Sequence, residues 1–213
     1  MDISQLNAKE ISSIQQHIAK YIDAPKMVNH EVTSKIVHID IFIVPATTTR
    51  DYHTLITAGM SAISSNTADD EEDWKYTELM MYLPSTWGIS KEELEDSVNY
   101  WPLALLRKLG RFPHENNTWF RLGDTIPNGE PPKPFVDTTQ LSSVVLLPPM
   151  KENREFFELQ IKEDKKIRFM VVTPIFNKEL LYLHKNGFNE FLDRLDETNF
   201  SDVLNLQRNS ILE

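Results

Sequence analysis

The segment at residues 35–46, KIVHIDIFIVPA, constrains the fold more than any other part of the chain. It is rich in β-branched residues, which is typical of a strand, and a strand turns successive side chains to opposite faces. One face carries Val37, Ile39, Ile41 and Ile43. The other face carries His38, Asp40, Phe42 and Val44. Because both faces contain apolar side chains, we predict a central strand in a sheet that is covered on both sides.

Further strands and helices are expected around this strand. Apolar residues at spacings of three to five predict an amphipathic helix over residues 3–22, and Pro25 follows its end. The other strands are expected at residues 52–60, 76–84, 141–149, 155–161 and 166–176. The last two helices are expected at residues 178–186 and 188–197, with Gly187 between them.

The order of these elements predicts the fold class and the domain organisation. The chain has 213 residues, which suits one large domain. We therefore predict a single α+β domain over residues 1–200, in which a mixed, mostly antiparallel β-sheet packs with helices. Residues 201–213 are expected to form a flexible C-terminal tail.

A helix with a break is expected after residue 90. Ser90 and Glu93 have the spacing of a capping box, which predicts that a helix begins there. Proline inside a helix removes a hydrogen bond and clashes with the preceding turn, so Pro102 predicts two short helices or a sharp kink. Gly110 is expected to close the second helix.

Two acidic features call for different explanations. The loop at residues 61–74 is small and polar, and five consecutive acids at 69–73 indicate a mobile, solvated tip rather than a metal site. Glu78 lies in an otherwise apolar strand, and we expect it to face solvent or to pair with a basic group.

Charge and composition exclude several classes of function. With 32 acidic and 22 basic residues, the net charge is −10, which disfavours binding to nucleic acid or anionic membranes and favours basic partners. The chain has no cysteine, so disulfides and thiolate chemistry are excluded. Neither a signal peptide nor an apolar run of membrane-spanning length is present, so we expect a cytoplasmic protein.

No catalytic template is complete. The sequence HENNT at 114–118 begins like a zinc-protease motif, but Thr118 replaces the second histidine. His38 and Asp40 share one strand face, and a hydrogen-bonded structural pair is the favoured interpretation. If the following turn is centred near residues 48–49, His53 lies opposite Val44 and far from His38 along the sheet. We therefore expect no catalytic residues, no metal and no cofactor.

The segment at residues 111–135 is rich in proline, aromatic and turn-forming residues. Proline reduces the entropy lost when a loop is held in one shape, so this segment can be ordered without regular secondary structure. Three interpretations remain open: a structural strap across a sheet edge, a recognition surface, and an enzyme site.

Several motifs in this order resemble the suppressor-of-fused domain family in its compact bacterial form. They are T-x-G-M-S at 57–61, W-P at 101–102, R-x-P-H with T-W at 111–119, and G-x-T-x-P-N-G at 123–129. The resemblance runs from Val37 to Glu197. Asp124 stands where the family pattern leads us to expect a histidine, so any chemistry of that histidine would be absent here.

The resemblance implies a protein-binding domain without enzymatic activity. Compact bacterial members look like immunity proteins, antitoxins that neutralise a cognate toxin by stoichiometric binding. Combined with the acidic charge, it predicts a basic toxin domain as the partner. The residues expected to bind it are Asp69, Asp70, Glu71, Glu72, Asp73, His114, Trp119, Asp124 and Asn128. Acids of the last helix are the alternative to the acidic loop.

Two other hypotheses remain. One is a general regulatory or scaffold module that binds an extended peptide by strand addition at a sheet edge. The other is a hydrolase or metal-dependent enzyme built around His38, Asp40 and His114.

Overall fold

The computed structural model describes residues 3–213, and its centre is one mixed sheet of eight strands. The strands are β1 (Met27–Asn29), β2 (Asp40–Val44), β3 (Tyr52–Ala58), β4 (Thr77–Pro84), β5 (Thr125–Pro127), β6 (Leu141–Leu147), β7 (Glu158–Lys162) and β8 (Lys165–Phe176). Their order across the sheet is β1-β2-β3-β4-β8-β6-β5, with β7 also paired to β8. Only the β4–β8 pair is parallel among these strands. The predicted α+β domain with a mostly antiparallel sheet is confirmed.

Both faces of the sheet are buried under apolar cover. The strand residues that alternate along β2, β3 and β4 divide between two separate hydrophobic clusters, one on each face. Ile41 and Ile43 belong to one cluster, whereas Phe42 and Val44 belong to the other. The predicted cover on both faces of this strand is therefore confirmed, although β2 lies second from one edge of the sheet, beside the short β1.

Four α-helices cover the two faces. They are α1 (Ala8–Tyr21), α2 (Ser97–Asn116), α3 (Asn177–Asn186) and α4 (Phe188–Glu197). Buried side chains of α1, α3 and α4 join the cluster that contains Phe42, and those of α2 join the opposite cluster. Within residues 3–213, none of the helices combines the length and apolar character needed to cross a membrane.

The break expected in the helix after residue 90 is wrong. The Ser90–Glu93 capping box is present, but it opens only a short 3-10 turn. Asp96 then caps α2, which continues through Pro102 and Pro113. Gly110 lies inside this helix rather than at its end. A Cβ at this position would come within 2.8 Å of the Ile39 side chain. The role of Gly110 is to let the helix approach the sheet closely.

The β2–β3 hairpin differs from the predicted register by one residue. Val44 pairs with Thr54, not with His53. A backbone hydrogen bond from the Thr47 N–H to the carbonyl of Arg50 closes the turn around residues 48–49, as expected, so the extra residue lies between this turn and β3. His53 instead binds the backbone of Ala46 and Ser85 at the end of the sheet, far along the strands from His38.

Residues 201–213 pack against the domain in this structure. Leu204 and Ile211 belong to the two hydrophobic clusters, and Val203 forms a bridge with Tyr82. Arg208 donates two hydrogen bonds to Glu179, a fully buried carboxylate at the start of α3. The segment is thus held by apolar burial and by an ion pair, where the sequence suggested a flexible tail.

Candidate partner-binding surface

The five acids at residues 69–73 lie in a 3-10 turn that is attached to the body of the domain. Glu71 accepts a hydrogen bond from Arg121 at 2.5 Å, and Asp73 pairs with Arg168 at 2.9 Å. Lys75 donates to Glu72 within the turn. The mobile tip expected from the sequence is therefore replaced by an ordered turn. Asp69 and Asp70 are exposed and take part in no ion pair among residues 3–213.

Arg121 joins this acidic turn to the loop between α2 and β5. Its backbone N–H donates to Asp124 at 2.9 Å, while its guanidinium reaches Glu71. The acidic turn and residues 117–124 therefore form one continuous surface. Burial raises the pKa of Asp124, and the neighbouring Arg121 opposes this rise only in part.

A groove of about 650 Å³ lies beside this loop. Its walls combine aromatic and apolar side chains with polar ones in roughly equal measure. It is lined by Phe112, Thr118, Trp119, Phe120, Gly123, Asp124, Thr125, Ile126, Pro127 and His184. Trp119 and Asp124, two residues proposed from the sequence, thus meet in one concave site beside the acidic turn. Aromatic side chains beside a carboxylate suit a partner that presents basic and apolar side chains.

The edge strand β5 forms one wall of the groove, and its open side offers little to an added strand. The backbones of Asp124 and Asn128 hydrogen bond to β6, so Thr125 and Pro127 face outward. Proline has no N–H to donate, which leaves Thr125 as the one outward donor in this three-residue strand. Asn128 holds the proline-rich segment, since its side chain donates to the carbonyls of Lys133 and Pro134.

His114 is not part of the groove. It belongs to the last turn of α2, and Nε2 lies 2.9 Å from the carbonyl oxygen of Met60. Burial lowers the pKa of His114, so the neutral imidazole is favoured. His114 therefore fastens the helix to the loop that follows β3.

The motif T-x-G-M-S surrounds a buried carboxylate. Glu78 is fully buried, and it accepts hydrogen bonds from the Thr57 hydroxyl, from the Gly59 N–H, and from the Ser61 N–H and hydroxyl. The expectation that Glu78 faces solvent or a basic group is wrong, because these donors replace both. Burial raises the pKa of Glu78 despite the hydrogen bonds. The motif thus serves to bind an internal acid.

His38 and Asp40 form a larger polar cluster than the sequence suggested. Nε2 of His38 lies 3.0 Å from Oδ1 of Asp40, and Nδ1 of His30 lies 2.9 Å from Oδ2. Nδ1 of His38 also lies 2.8 Å from Oγ of Ser34, an arrangement that resembles a catalytic triad. The Ser34 hydroxyl, however, donates to Glu31 at 2.6 Å, so its proton is not directed at His38. His114 bonds to the Met60 carbonyl instead. The three residues of the hydrolase hypothesis, His38, Asp40 and His114, therefore do not form one site.

Within residues 3–213, no three His, Asp or Glu side chains are arranged to hold a metal ion by themselves.

The residues that sequence reasoning missed are Arg121 and His184. Arg121 organises the acidic surface, and His184 closes the groove through the Thr125 hydroxyl at 2.8 Å. Both act across more than 45 residues of sequence, so no local pattern identifies them.

Comparisons with known proteins identify the family. The model of the suppressor of fused protein (SUFU) family matches residues 35–209. Because this match covers most of the chain, the chain belongs to the suppressor of fused family. No curated protein sequence matched the chain.

Solved structures of this family share the fold. The SUFU homologue of Neisseria gonorrhoeae superimposes with a TM-score of 0.66 at 15% identity, over 96% of each chain. A Sufu chain in the Sufu–Fu complex gives 0.65 at 16% identity, over 95% of this chain and 92% of that one. Drosophila Suppressor of Fused gives 0.64 at 15% identity, over 98% of this chain and 52% of its own, so the present chain spans about half of that protein.

Proposed function

We propose that this protein binds a partner protein stoichiometrically and without turnover, as an immunity protein that neutralises a basic toxin domain. The observation that carries the proposal is the Arg121–Glu71 ion pair, which joins the acidic turn to the aromatic groove. A surface that combines exposed acids with an aromatic cleft suits a basic protein better than it suits nucleic acid or lipid.

The family supports protein binding in general terms. A Sufu chain with this fold has been solved in the Sufu–Fu complex, where it is bound to another protein. The net charge of −10 supports the finer proposal of a basic partner, because complementary charge accelerates association and disfavours acidic competitors. The arrangement at Ser34, whose hydroxyl donates to Glu31, supports the absence of catalysis at the His38 cluster.

The competing hypothesis of peptide binding by strand addition gains little from the β5 edge. That edge is three residues long and Pro127 faces outward. Short edges and prolines are features that discourage strand addition. We propose that side chains of the acidic turn and the groove, rather than the β5 edge, form the binding surface.

A capture experiment from the native host tests this function. The protein is immobilised at low salt, and bound proteins are released by rising salt and identified by mass spectrometry. We expect one basic protein with a toxin-like domain, bound in stoichiometric amount and released by salt. Several unrelated partners, or peptides that survive high salt, would instead support the scaffold hypothesis. The variant Asp69→Lys/Asp70→Lys serves as a second bait that should capture less of the same protein.

A further inference from the structure

A small cavity opens on the face of the sheet that α1 covers. Its volume is about 220 Å³, and its apolar wall includes Leu6, Phe42 and Ala58. These residues belong to the hydrophobic cluster that contains the buried side chains of α1, whereas Phe120 and Ile126 of the partner-binding groove pack with the opposite cluster. The cavity and the groove share no lining residue, so the cavity is a separate candidate site.

The strand register explains why this cavity exists. Asp40 of β2 pairs with Ala58 of β3 on one side. On the other side the β1–β2 register places His30 opposite Asp40, and Nδ1 of His30 lies 2.9 Å from Oδ2 of Asp40. Above this row, α1 contributes Ile11 and Gln15, which lie one turn apart on the same helix face. Ala58 has the smallest side chain of the row, and it leaves space that a larger residue would fill.

The cavity is apolar inside and polar at its mouth. Leu6, Phe42 and Ala58 are each at most 6% exposed. The side chains of Asp40 and His30, in contrast, are 19% and 73% exposed. A ligand that fits this cavity therefore keeps apolar atoms inside and a polar head group at the mouth. If each group takes the space of a water molecule, about 30 Å³, the cavity holds about seven heavy atoms.

The carboxylate at the mouth has room for one more hydrogen-bond donor. A carboxylate only accepts hydrogen bonds, so the ring nitrogens of His30 and His38 that face Asp40 carry protons. Oδ1 of Asp40 accepts from His38 and from the Glu31 N–H. Oδ2 accepts from His30 alone among residues 3–213, and a carboxylate oxygen has two lone pairs. One acceptor position of Oδ2 is therefore open to a ligand.

The charges around the cavity favour a cationic head group. Among residues 3–213, the cavity is lined by one acid, Asp40, and by no lysine or arginine. The ion pairs of Asp40 in this part of the chain are with histidines alone, and the nearby Glu31 is already paired with Arg111. An anionic ligand would therefore be repelled by Asp40, whereas an ammonium group would form a charge-assisted hydrogen bond with it.

We propose that this cavity binds a small primary amine with a hydrocarbon chain of about five carbons. The ammonium group donates to Oδ2 of Asp40, and the amide of Gln15, another lining residue, offers a second acceptor. The hydrocarbon chain packs against Leu6, Phe42 and Ala58, which removes its apolar surface from water.

The orientation of the cavity favours a free amine over a lysine side chain of another protein. Both carry an alkylammonium group. A lysine of a partner protein would enter the cavity with its ammonium group first and would place that charge against Phe42 and Ala58, away from Asp40. Burial of a charge without a partner is unfavourable, so the lysine side chain fits poorly.

The experiment is an NMR titration of the isotope-labelled protein at pH 7 with isoamylamine as the probe. Isoamyl alcohol and isovalerate serve as neutral and acidic ligands of the same shape, and Nα-acetyl-lysine methylamide supplies a lysine side chain. We expect saturable binding of isoamylamine with the largest shifts at Ala58 and Phe42, about tenfold weaker binding of the alcohol, and no binding of isovalerate. The lysine derivative should bind more weakly than isoamylamine.

Three results with the wild type would overturn the proposal. They are absence of isoamylamine binding, shifts confined to residues outside the cavity, and equal binding of isovalerate. Tighter binding of the lysine derivative than of isoamylamine would also overturn it, because the site would then suit a partner's side chain.

Two variants distinguish recognition of the head group from recognition of the chain. Asp40→Asn should weaken binding of isoamylamine about tenfold and change binding of the alcohol little. The control Asp137→Asn makes the same charge change at an exposed acid elsewhere and should leave both unchanged. Ala58→Leu fills the cavity and should weaken binding of both ligands, which keeps the test decisive if Asp40→Asn fails to fold. Unchanged binding of isoamylamine in either folded variant would contradict the proposed site.

Discussion

Two acidic regions lie close together in the sequence and are treated in opposite ways by the fold. Glu78 is fully buried and is bound by four hydrogen-bond donors without a cation. The turn at Asp69–Trp74 keeps its acids at the surface, where Arg121 and Arg168 anchor two of them. The buried acid organises the loop that follows β3, whereas Asp69 and Asp70 of the turn are exposed and form no ion pair among residues 3–213.

This difference separates the motif that supports the fold from the residues that, in our proposal, bind the partner protein. The family motif T-x-G-M-S supplies hydrogen-bond donors to an internal carboxylate, so we assign this motif to the stability of the fold. Asp69 and Asp70 of the acidic turn are exposed, so they do not serve the interior of the domain in this way. Changes at Glu78 should therefore affect stability, and changes at Asp69 and Asp70 should affect association.

The largest expected effect is that of Glu78→Ala. The substitution leaves the Thr57 and Ser61 hydroxyls and two backbone N–H groups buried without an acceptor. Each such group is unfavourable by about 1–3 kcal/mol, so we expect the free energy of unfolding to fall by about 3 kcal/mol or more. Urea denaturation measures this loss. The matched control Asp70→Ala removes an exposed carboxylate and should change the free energy by less than about 0.5 kcal/mol. Equal effects of the two substitutions would contradict the claim that the buried acid, and not the surface acid, supports the stability of the fold.

A smaller effect distinguishes the two regions by pH. Burial raises the pKa of Glu78 above its usual value, so the stability of the wild type relative to Glu78→Gln is greatest below the unfolded pKa. This difference should fall by up to about 1.4 kcal/mol per pH unit as pH rises from about 4.5 towards the folded pKa. Urea denaturation of both proteins between pH 4 and 7 measures it.

Asp73 should respond with the opposite sign. Arg168 lowers its pKa, so the contribution of Asp73 is present above its unfolded pKa and is lost as pH falls through the folded value. Asp73→Asn should therefore match the wild type best below the ordinary Asp pKa of about 3.8, so the series is extended down to about pH 2 for this pair. Screening by solvent makes the difference small. If both acids gave the same pH trend, the assignment of Glu78 as a carboxyl without a cation would be wrong.

The sequence predicted those parts of the fold that follow from local patterns. Alternation across residues 37–44 identified a strand buried on both faces, and Gly187 correctly separated the last two helices. The continuous α2 could not be predicted, because its burial against the sheet outweighs the unfavourable local effect of Pro102. The packing of residues 201–213 also escaped prediction, since it depends on the distant partners Glu179 and Tyr82.

The proposed surface was predictable in its members but not in its assembly. Composition and turn chemistry singled out the acids at 69–73, Trp119 and Asp124. Their juxtaposition depends on Arg121, which meets Glu71 across 50 residues of sequence. His114 shows the opposite case, because the sequence singled it out as a binding residue and its imidazole instead bonds to the Met60 carbonyl inside the domain.

The most direct test of the proposed binding surface is the association rate with the captured partner. We would compare the wild type with Asp69→Lys/Asp70→Lys and with the control Asp137→Lys/Glu163→Lys, which makes the same change in net charge at other exposed acids. At low salt we expect the first variant to associate about tenfold more slowly than the control, with the difference shrinking as salt is raised. Equal association rates for the two variants would contradict the account, because net charge alone would then explain the binding.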